Sequence, residues 1–285
     1  MDKTPKGRGG LKALAEAVSP LGLFSTFTPK DPARRSGRAI AFGSHARLKL
    51  DVYAPVKTAG PAPVAIFFYG GSWDTGRRQD YGWAARALAA KGFLTVAPDY
   101  RLHPDVVYPA FLQDGAAAVR WAADHAAAHG GDPSRIVLAG HSAGAYIAMM
   151  LGLDGRYLRE AGVDPGCIRA LAGLSGPYEF QPPYQNSTII RTFGGAADPA
   201  ATQPAAHVTA TSPPAFLGHG DSDKLVGRRN MRTLAQAYRD KGAVVEDRVY
   251  PGMDHSGMVL ALSRPFRSRA PVLEEMTGFL RAQVG

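Results

Sequence analysis

Cysteine is almost absent from this 285-residue chain. Cys167 stands alone, so no intramolecular disulfide can form. Disulfide-stapled scaffolds are thereby excluded, and a reducing, cytoplasmic location is the expectation. No apolar run approaches the roughly 18 residues of a membrane span, so no integral membrane segment is expected. The sequence has no G-x-G-x-x-G dinucleotide fingerprint, no Walker phosphate loop and no repeat at solenoid periods. Metal-ligand spacings are missing too. His125 and His129 lie four apart on an expected helix, but no third ligand is near them, and cations at a helix C-terminus are favoured electrostatically in any case. Neither a metal nor a cofactor is expected.

What is present describes an ordinary globular chain. Hydrophobic residues make up 45% and charged residues 20%, enough for a sizeable core. The charge balance is basic, at +9. Its local clusters, Lys3–Arg8, Arg34–Arg38, Arg228–Arg232 and Arg264–Arg269, are short and not interleaved with aromatics. They describe a solvated basic surface rather than a nucleic-acid site. At the N-terminus, Lys3, Lys6 and Arg8 precede an apolar stretch interrupted by Lys12, Glu16 and Pro20, which a secretory h-region of about 7–15 apolar residues would not tolerate. Leu11, Leu14, Ala15 and Val18 instead share one face of a short helix. That helix is expected to dock on the body, with a lid or a membrane contact as alternatives. Residues 1–35 thus form an extension to a single domain over 36–285.

Along that domain one rhythm recurs: an apolar run, a glycine-rich turn, a helical stretch. Residues 38–43 and 47–53 have the pattern of a hairpin, because Leu48, Leu50 and Val52 alternate with Lys49 and Asp51. Val64–Tyr69 is continuously apolar, as in a strand buried on both faces. Further strands are expected at Phe93–Ala97, Arg135–Ala139, Ala170–Leu174, Pro214–Gly218 and Val244–Tyr250. Helices are expected at Asp80–Lys91, Ala110–His129, Ala143–Leu151, Val226–Lys241 and Arg269–Ala282. Residues 176–212, rich in Pro, Gly, Gln and Thr, break the rhythm as an irregular insertion. The alternation predicts an α/β fold with an eight-stranded, mostly parallel sheet covered by helices on both faces.

Gly140-His-Ser-Ala-Gly144 fits the turn between a strand and a helix. A nucleophile on so tight a turn leaves no room for neighbouring Cβ atoms, and the flanking glycines remove them. The helix that follows aims free N–H groups and a positive dipole end at the site. A serine hydroxyl needs a base, and the base needs an orienting acid. His255 follows the last strand, and Asp223 follows the strand before it. Loops after the C-terminal ends of parallel strands share one edge, so Ser142, Asp223 and His255 are expected to converge. Asp221 competes for the acid role. Asp223 is preferred because it lies two residues deeper in its loop. Asp254 adjoins the base and should point elsewhere, and His219 should pack at the strand end. Asp99 and Arg101 are expected to form an ion pair at a strand edge, with Asp114 also structural.

These residues resemble the α/β-hydrolase superfamily. The nearest branch is that of hormone-sensitive-lipase-like carboxylesterases, with feruloyl-esterase-like and kynurenine-formamidase-like members. The resemblance spans roughly residues 38–283 and rests on Leu50-Asp-Val-Tyr53, Tyr69-Gly-Gly-Ser-Trp73, Ala97-Pro-Asp-Tyr-Arg-Leu102, Gly140-His-Ser-Ala-Gly-Ala145, His219-Gly-Asp-Ser-Asp223 and Gly252-Met-Asp-His255. It implies Ser142 as nucleophile, His255 as base and Asp223 as orienter. It also implies an oxyanion hole from the N–H groups of Gly71, Ser72 and Ala143. The family usually opens that loop with His-Gly-Gly. Here Tyr69 replaces the histidine and Ser72 the third glycine, so the loop must be braced differently. The implied activity is hydrolysis of small or aromatic carboxylic esters, with Trp73, Tyr178 and the 176–212 insertion lining the pocket. Alternatives are an aryl-formamidase and a catalytically inactive binding module. The expected partner is a small-molecule ester, and a homodimer is compatible.

Overall fold

The computed structural model of the chain describes residues 20–180 and 187–285. The expected helix face at Leu11–Val18 lies outside the described residues. The first described element is α1 (Pro20–Phe27). Its Phe24 ring packs edge-on against Trp83 at 5.3 Å and stacks on Phe266 at 5.8 Å.

Eight strands form one sheet: β1 (Arg34–Ala41), β2 (Lys49–Ala54), β3 (Ala62–Phe68), β4 (Leu94–Pro98), β5 (Gly131–His141), β6 (Ile168–Leu174), β7 (Ala215–Gly220) and β8 (Val245–Tyr250). Their order is β1-β2-β4-β3-β5-β6-β7-β8. β2 pairs antiparallel with both β1 and β4, and every later pairing is parallel. The central strands are mostly apolar because both faces are covered: all of β7 and nearly all of β3 and β6 are buried. The two edges carry charge instead, Arg34, Arg35 and Arg38 on β1 and Glu246, Asp247 and Arg248 on β8, which blunts further strand pairing.

The covering helices are α2 (Gly82–Ala90), α3 (Ala110–His125), α4 (Ala143–Leu153), α5 (Arg156–Glu160), α6 (Ser187–Phe193), α7 (Arg229–Asp240), α8 (His255–Leu260) and α9 (Val272–Val284). No helix among the described residues is long and apolar enough to cross a membrane. This is the α/β-hydrolase fold.

Two helices start later than their sequence patterns suggest. α7 begins at Arg229 rather than Val226, because the carboxylate of Asp223 accepts the N–H groups of Leu225 (3.0 Å) and Val226 (2.9 Å) and holds them in a turn. α9 begins at Val272 rather than Arg269. Pro271 disfavours helical backbone in the residue before it, and Ala270 is extended at φ −162°, ψ 148°. The expected Asp99–Arg101 pair is also not made. Beyond Pro98 the chain has left the strand, so Asp99 and Arg101 no longer share a face. Asp99 turns inward to Arg78, which also bonds Asp51 at 3.1 Å. Arg101 instead grips Asp114 on α3 at 2.8 Å.

The register places Phe68 beside Gly140, His141 beside Leu174, and Gly220 beside Tyr250. The loops leaving β3, β5, β7 and β8 therefore open along one edge. In this region α4 packs closely against the end of β3. A Cβ on Gly144 would lie 2.1 Å from the carbonyl oxygen of Phe68 and 2.4 Å from that of Tyr69. Both obstacles are backbone atoms, which cannot rotate away. Gly144→Ala is expected to destabilise the fold by at least about 3 kcal/mol, measured by urea denaturation. A loss below about 1 kcal/mol would contradict this account of the turn.

Candidate active site

β5 delivers Ser142 to the rim of the sheet. Its backbone stands at φ 55°, ψ −123°, in the left-handed half of conformational space that side chains rarely enter. The strain is held by the Ser142 N–H, which donates to the carbonyl of Leu174 at 2.9 Å, and by α4, whose Tyr146 N–H donates to the Ser142 carbonyl at 3.1 Å. A Cβ at Gly140 would lie 2.3 Å from the Gly144 carbonyl oxygen, so the turn closes only with glycine on both sides.

The three side chains singled out in the sequence meet. With the imidazole proton on Nδ1, the Ser142 hydroxyl donates to His255 Nε2 at 2.9 Å, and His255 Nδ1–H donates to Asp223 Oδ2 at 2.8 Å. The side chain of Asp223 is fully buried, and that of His255 is 13% exposed. Burial opposes charge on Asp223. The bonds from His255 and from the Val226 N–H outweigh it and hold the carboxyl down at about 2. Ser175 stands beside the same carboxylate and pulls in the same direction.

The rival acids have other partners. Asp221 accepts the N–H of Gly252 at 2.7 Å, joining the two loops that carry Asp223 and His255. Asp254 accepts the N–H of Gly257 at 2.6 Å and caps α8. His219 is fully buried and donates to the Val226 carbonyl at 3.0 Å, behind Asp223. His125 lies against Trp121, and His129 bonds Ser36 at 2.7 Å. No group of three or more potential metal ligands occurs among the described residues.

The loop after β3 folds back on Ser142. A Cβ at Gly70 would lie 3.0 Å from Cβ of Ser142. φ is positive at Gly71 (140°), Ser72 (50°) and Trp73 (61°). The Gly71 carbonyl accepts from Asp74 N (3.1 Å) and Thr75 N (2.9 Å). The N–H groups of Gly71, Ser72 and Ala143 make no hydrogen bond among the described residues. They are the free donors closest in the chain to the nucleophile turn and its facing loop.

A cavity of about 190 Å³ adjoins Ser142, walled by Ser72, Trp73, Pro177, Phe180, Ile189 and Leu225, among others. Trp73 stands in that wall, backed edge-on by Phe193 at 4.8 Å and Tyr146 at 5.3 Å. Tyr178, expected there too, is not in the wall. It is buried beneath, packed over Gly173 and Gly176, while Pro177 and Phe180 on either side of it in the chain face the cavity. The irregular backbone of the insertion has no periodicity from which the facing side chain could be read. A larger groove of about 550 Å³, lined by Arg159, Arg169 and Thr209, opens at the other ends of β6 and β7 and holds none of these groups.

One neighbour of the site is missing from the sequence reading. His141 donates through Nε2 to the main-chain carbonyl of His255 at 3.0 Å, and the two rings lie 4.8 Å apart. Burial, and then the nearby His255, push its pKa down to about 3. Its position inside the serine motif was the available signal, but no pattern of spacing shows which carbonyl it would reach.

Comparison with known proteins finds esterases among the relatives of this chain. The family model described as BD-FAE matches residues 50–238. The chain is 29% identical to a probable isoprenylcysteine alpha-carbonyl methylesterase of Oryza sativa over 84% of its own length, and spans 61% of that protein. It is 30% identical to the carboxylesterase NlhH of Mycobacterium tuberculosis, covering 82% of this chain and 78% of that one. Among solved structures, EstE1, a thermostable carboxylesterase cloned from a metagenomic library, superposes with a TM-score of 0.75 at 20% identity over 98% of both chains.

The neutral, buried His141 has a measurable consequence. The unfolded chain takes up a proton on this histidine near pH 6.5, and the folded chain does so only near 3. The folded state therefore binds fewer protons between those values, and its stability falls as pH falls. His141→Asn, which keeps a donor, is expected to flatten the acid limb of the stability curve between pH 6 and 4 by up to about 1.4 kcal/mol per pH unit. Chemical denaturation across that window is the check, and an unchanged slope would refute the assignment.

Proposed function

The chain belongs to the BD-FAE family of α/β hydrolases, and from that premise we propose that it is a serine carboxylic ester hydrolase acting through an acyl-enzyme on small esters. The observation that carries this reading is the unbroken relay from Asp223 through His255 to Ser142, at 2.8 and 2.9 Å, opening on a cavity beside unpaired backbone donors. In the reaction, Ser142 Oγ attacks the ester carbonyl as its proton passes to His255 Nε2. Asp223 keeps the imidazole in the tautomer that can accept this proton, and its charge stabilises the imidazolium. The carbonyl oxygen becomes an oxyanion and takes hydrogen bonds from the N–H groups of Gly71, Ser72 and Ala143. One such donor is worth about 2.7–4 kcal/mol of barrier. His255 returns the proton to the leaving alcohol. A water then attacks the acyl-enzyme by the same route, releasing the acid and restoring Ser142.

The cavity argues for a small substrate. Its wall carries the rings of Trp73 and Phe180, each packed edge-on against Phe193 behind it, at 4.8 and 5.2 Å. Among the described residues these packed aromatics close that side of the cavity to a long acyl chain. A short acyl group or a compact alcohol fits, whereas a long one must project into solvent and loses burial of about 0.8 kcal/mol per methylene.

Ser142→Ala is expected to lower turnover of a short-chain aryl ester by at least about 10⁴-fold, and Asp223→Asn by about 10³- to 10⁴-fold. Asp221→Asn should stay within about tenfold of the parent, because Asp221 ties loops rather than the base. Steady-state kinetics on an acetate, a butyrate and a palmitate of one aryl alcohol test both points, with the palmitate slowest. Full activity in Ser142→Ala would end the serine reading, and the reverse order of the two aspartate variants would reassign the acid.

A further inference from the structure

The free donors of loop 70–76 point usefully only if the loop keeps its unusual backbone. φ is positive at Gly71, Ser72, Trp73 and again at Gly76 (95°). Such a run persists only where surrounding contacts over-determine it. One side chain touches both ends of the loop. Arg47 projects from the turn between β1 and β2. Its Nη2 donates to the hydroxyl of Tyr69, which immediately precedes the loop, at 3.1 Å, and to the carbonyl of Gly76, which closes it. Its Nε donates to the carbonyl of Tyr100 at 2.8 Å. Tyr100 in turn stacks on Tyr69 with ring centres 4.6 Å apart, and its hydroxyl donates to the Tyr69 carbonyl at 2.9 Å. Arg47, Tyr69 and Tyr100 thus form one closed clamp behind the loop.

We infer that Arg47 is a positioning residue for the oxyanion loop, its guanidinium tying Tyr69 to Gly76 so that the N–H groups of Gly71 and Ser72 face the reacting carbonyl. The inference rests on the serine-hydrolase reading given above. The clamp needs a guanidinium. Its nitrogens are fixed in one plane, so a single group can meet the Tyr100 carbonyl with Nε while Nη2 spans two acceptors, whereas an ammonium is one point charge on a flexible stem. The phenol of Tyr69 is fully buried, and burial raises its pKa, so its oxygen is a neutral acceptor that costs the arginine no competing ion pair. Arg47 does not approach the ester. Its effect is carried by the geometry of the donors.

The test measures kcat and KM on a short-chain aryl ester for Arg47→Met, Arg47→Lys, Tyr69→Phe and the double variant Arg47→Met/Tyr69→Phe. Rates are taken per active site, counted by fluorophosphonate titration, with melting temperatures recorded alongside. Arg47→Met is expected to lower kcat about 30-fold with KM within about twofold, since misplaced donors weaken the transition state more than substrate binding. Arg47→Lys should remain at least about fivefold below the parent. Tyr69→Phe should fall in the same direction by a smaller factor, and the double variant should be no slower than Arg47→Met alone, because both changes open one contact. A merely structural arginine would lower the melting temperature and leave kcat per site within twofold, and that result overturns the inference. If Arg47→Met does not fold, Tyr69→Phe decides, since it removes a single hydroxyl. Failure of the underlying reading looks different: the parent protein would show no ester turnover, or Ser142→Ala would keep it, and both proposals would then fall together.

Discussion

The contact between the start of α4 and the end of β3 governs everything at the rim of the sheet. Gly144 lies so close to the carbonyls of Phe68 and Tyr69 that no side chain fits between them. That approach is what forces Ser142 into positive φ, because a strand must become a helix within one residue. It also sets the height of loop 70–76, since the loop follows directly on the residues whose carbonyls Gly144 touches. Ser142 and the free N–H groups of that loop are thus positioned by one packing event between regular elements. Two independent loops would each have to solve the problem with their own entropy.

The charges are arranged around that contact with a consistent sense. Asp223 is a buried anion, tolerable because three hydrogen bonds converge on it: one from the base and two from backbone N–H groups of its own turn. His141 is a buried imidazole kept neutral, and its proton is committed to the carbonyl of His255. A second cation beside His255 would resist the imidazolium of the proposed reaction. A neutral donor in the same place fixes the backbone without that penalty. Asp221 and Asp254, adjacent in sequence to the acid and the base, are consumed in joining and capping the loops. The carboxylate nearest to His255 in sequence is therefore not the one nearest to it in space.

Much of this was legible in the residues. Continuous apolar runs mark the doubly covered strands, paired glycines mark the elbow, and the topology of parallel strands points Ser142, Asp223 and His255 to one edge. What the sequence did not disclose depends on reach rather than on pattern. His141 meets a carbonyl 114 residues away, and Arg47 a carbonyl 53 residues away, through long or rotatable side chains whose partners leave no periodic trace. Asp99 and Arg101 looked like a pair because they are two apart, a spacing that shares a face only inside a strand, and the strand ends at Pro98. The placement of Tyr178 failed for the same reason. In an insertion without regular backbone, neighbouring positions have no fixed facing, and the cavity is lined by Pro177 and Phe180 instead.

Machinery and selectivity consequently sit on different kinds of structure. The proposed relay and the elbow hang from strand ends and the first turns of helices, where register fixes each position. The cavity wall comes from Trp73, from the insertion and from the turn after Asp223, segments whose side chains can change without moving a strand. Changes in the wall should alter which ester is taken while leaving the chemistry intact. The clamp on loop 70–76 lies on the boundary between the two. Tyr69 stands where the resembled motif has histidine, yet Gly70 and Gly71 are kept, because the proposed hole of backbone donors depends on chain direction and not on which side chain enforces it. A phenol held by Arg47 and stacked on Tyr100 meets that requirement by different contacts. The departure at Tyr69 thereby falls on the brace, one layer behind the atoms that would touch substrate.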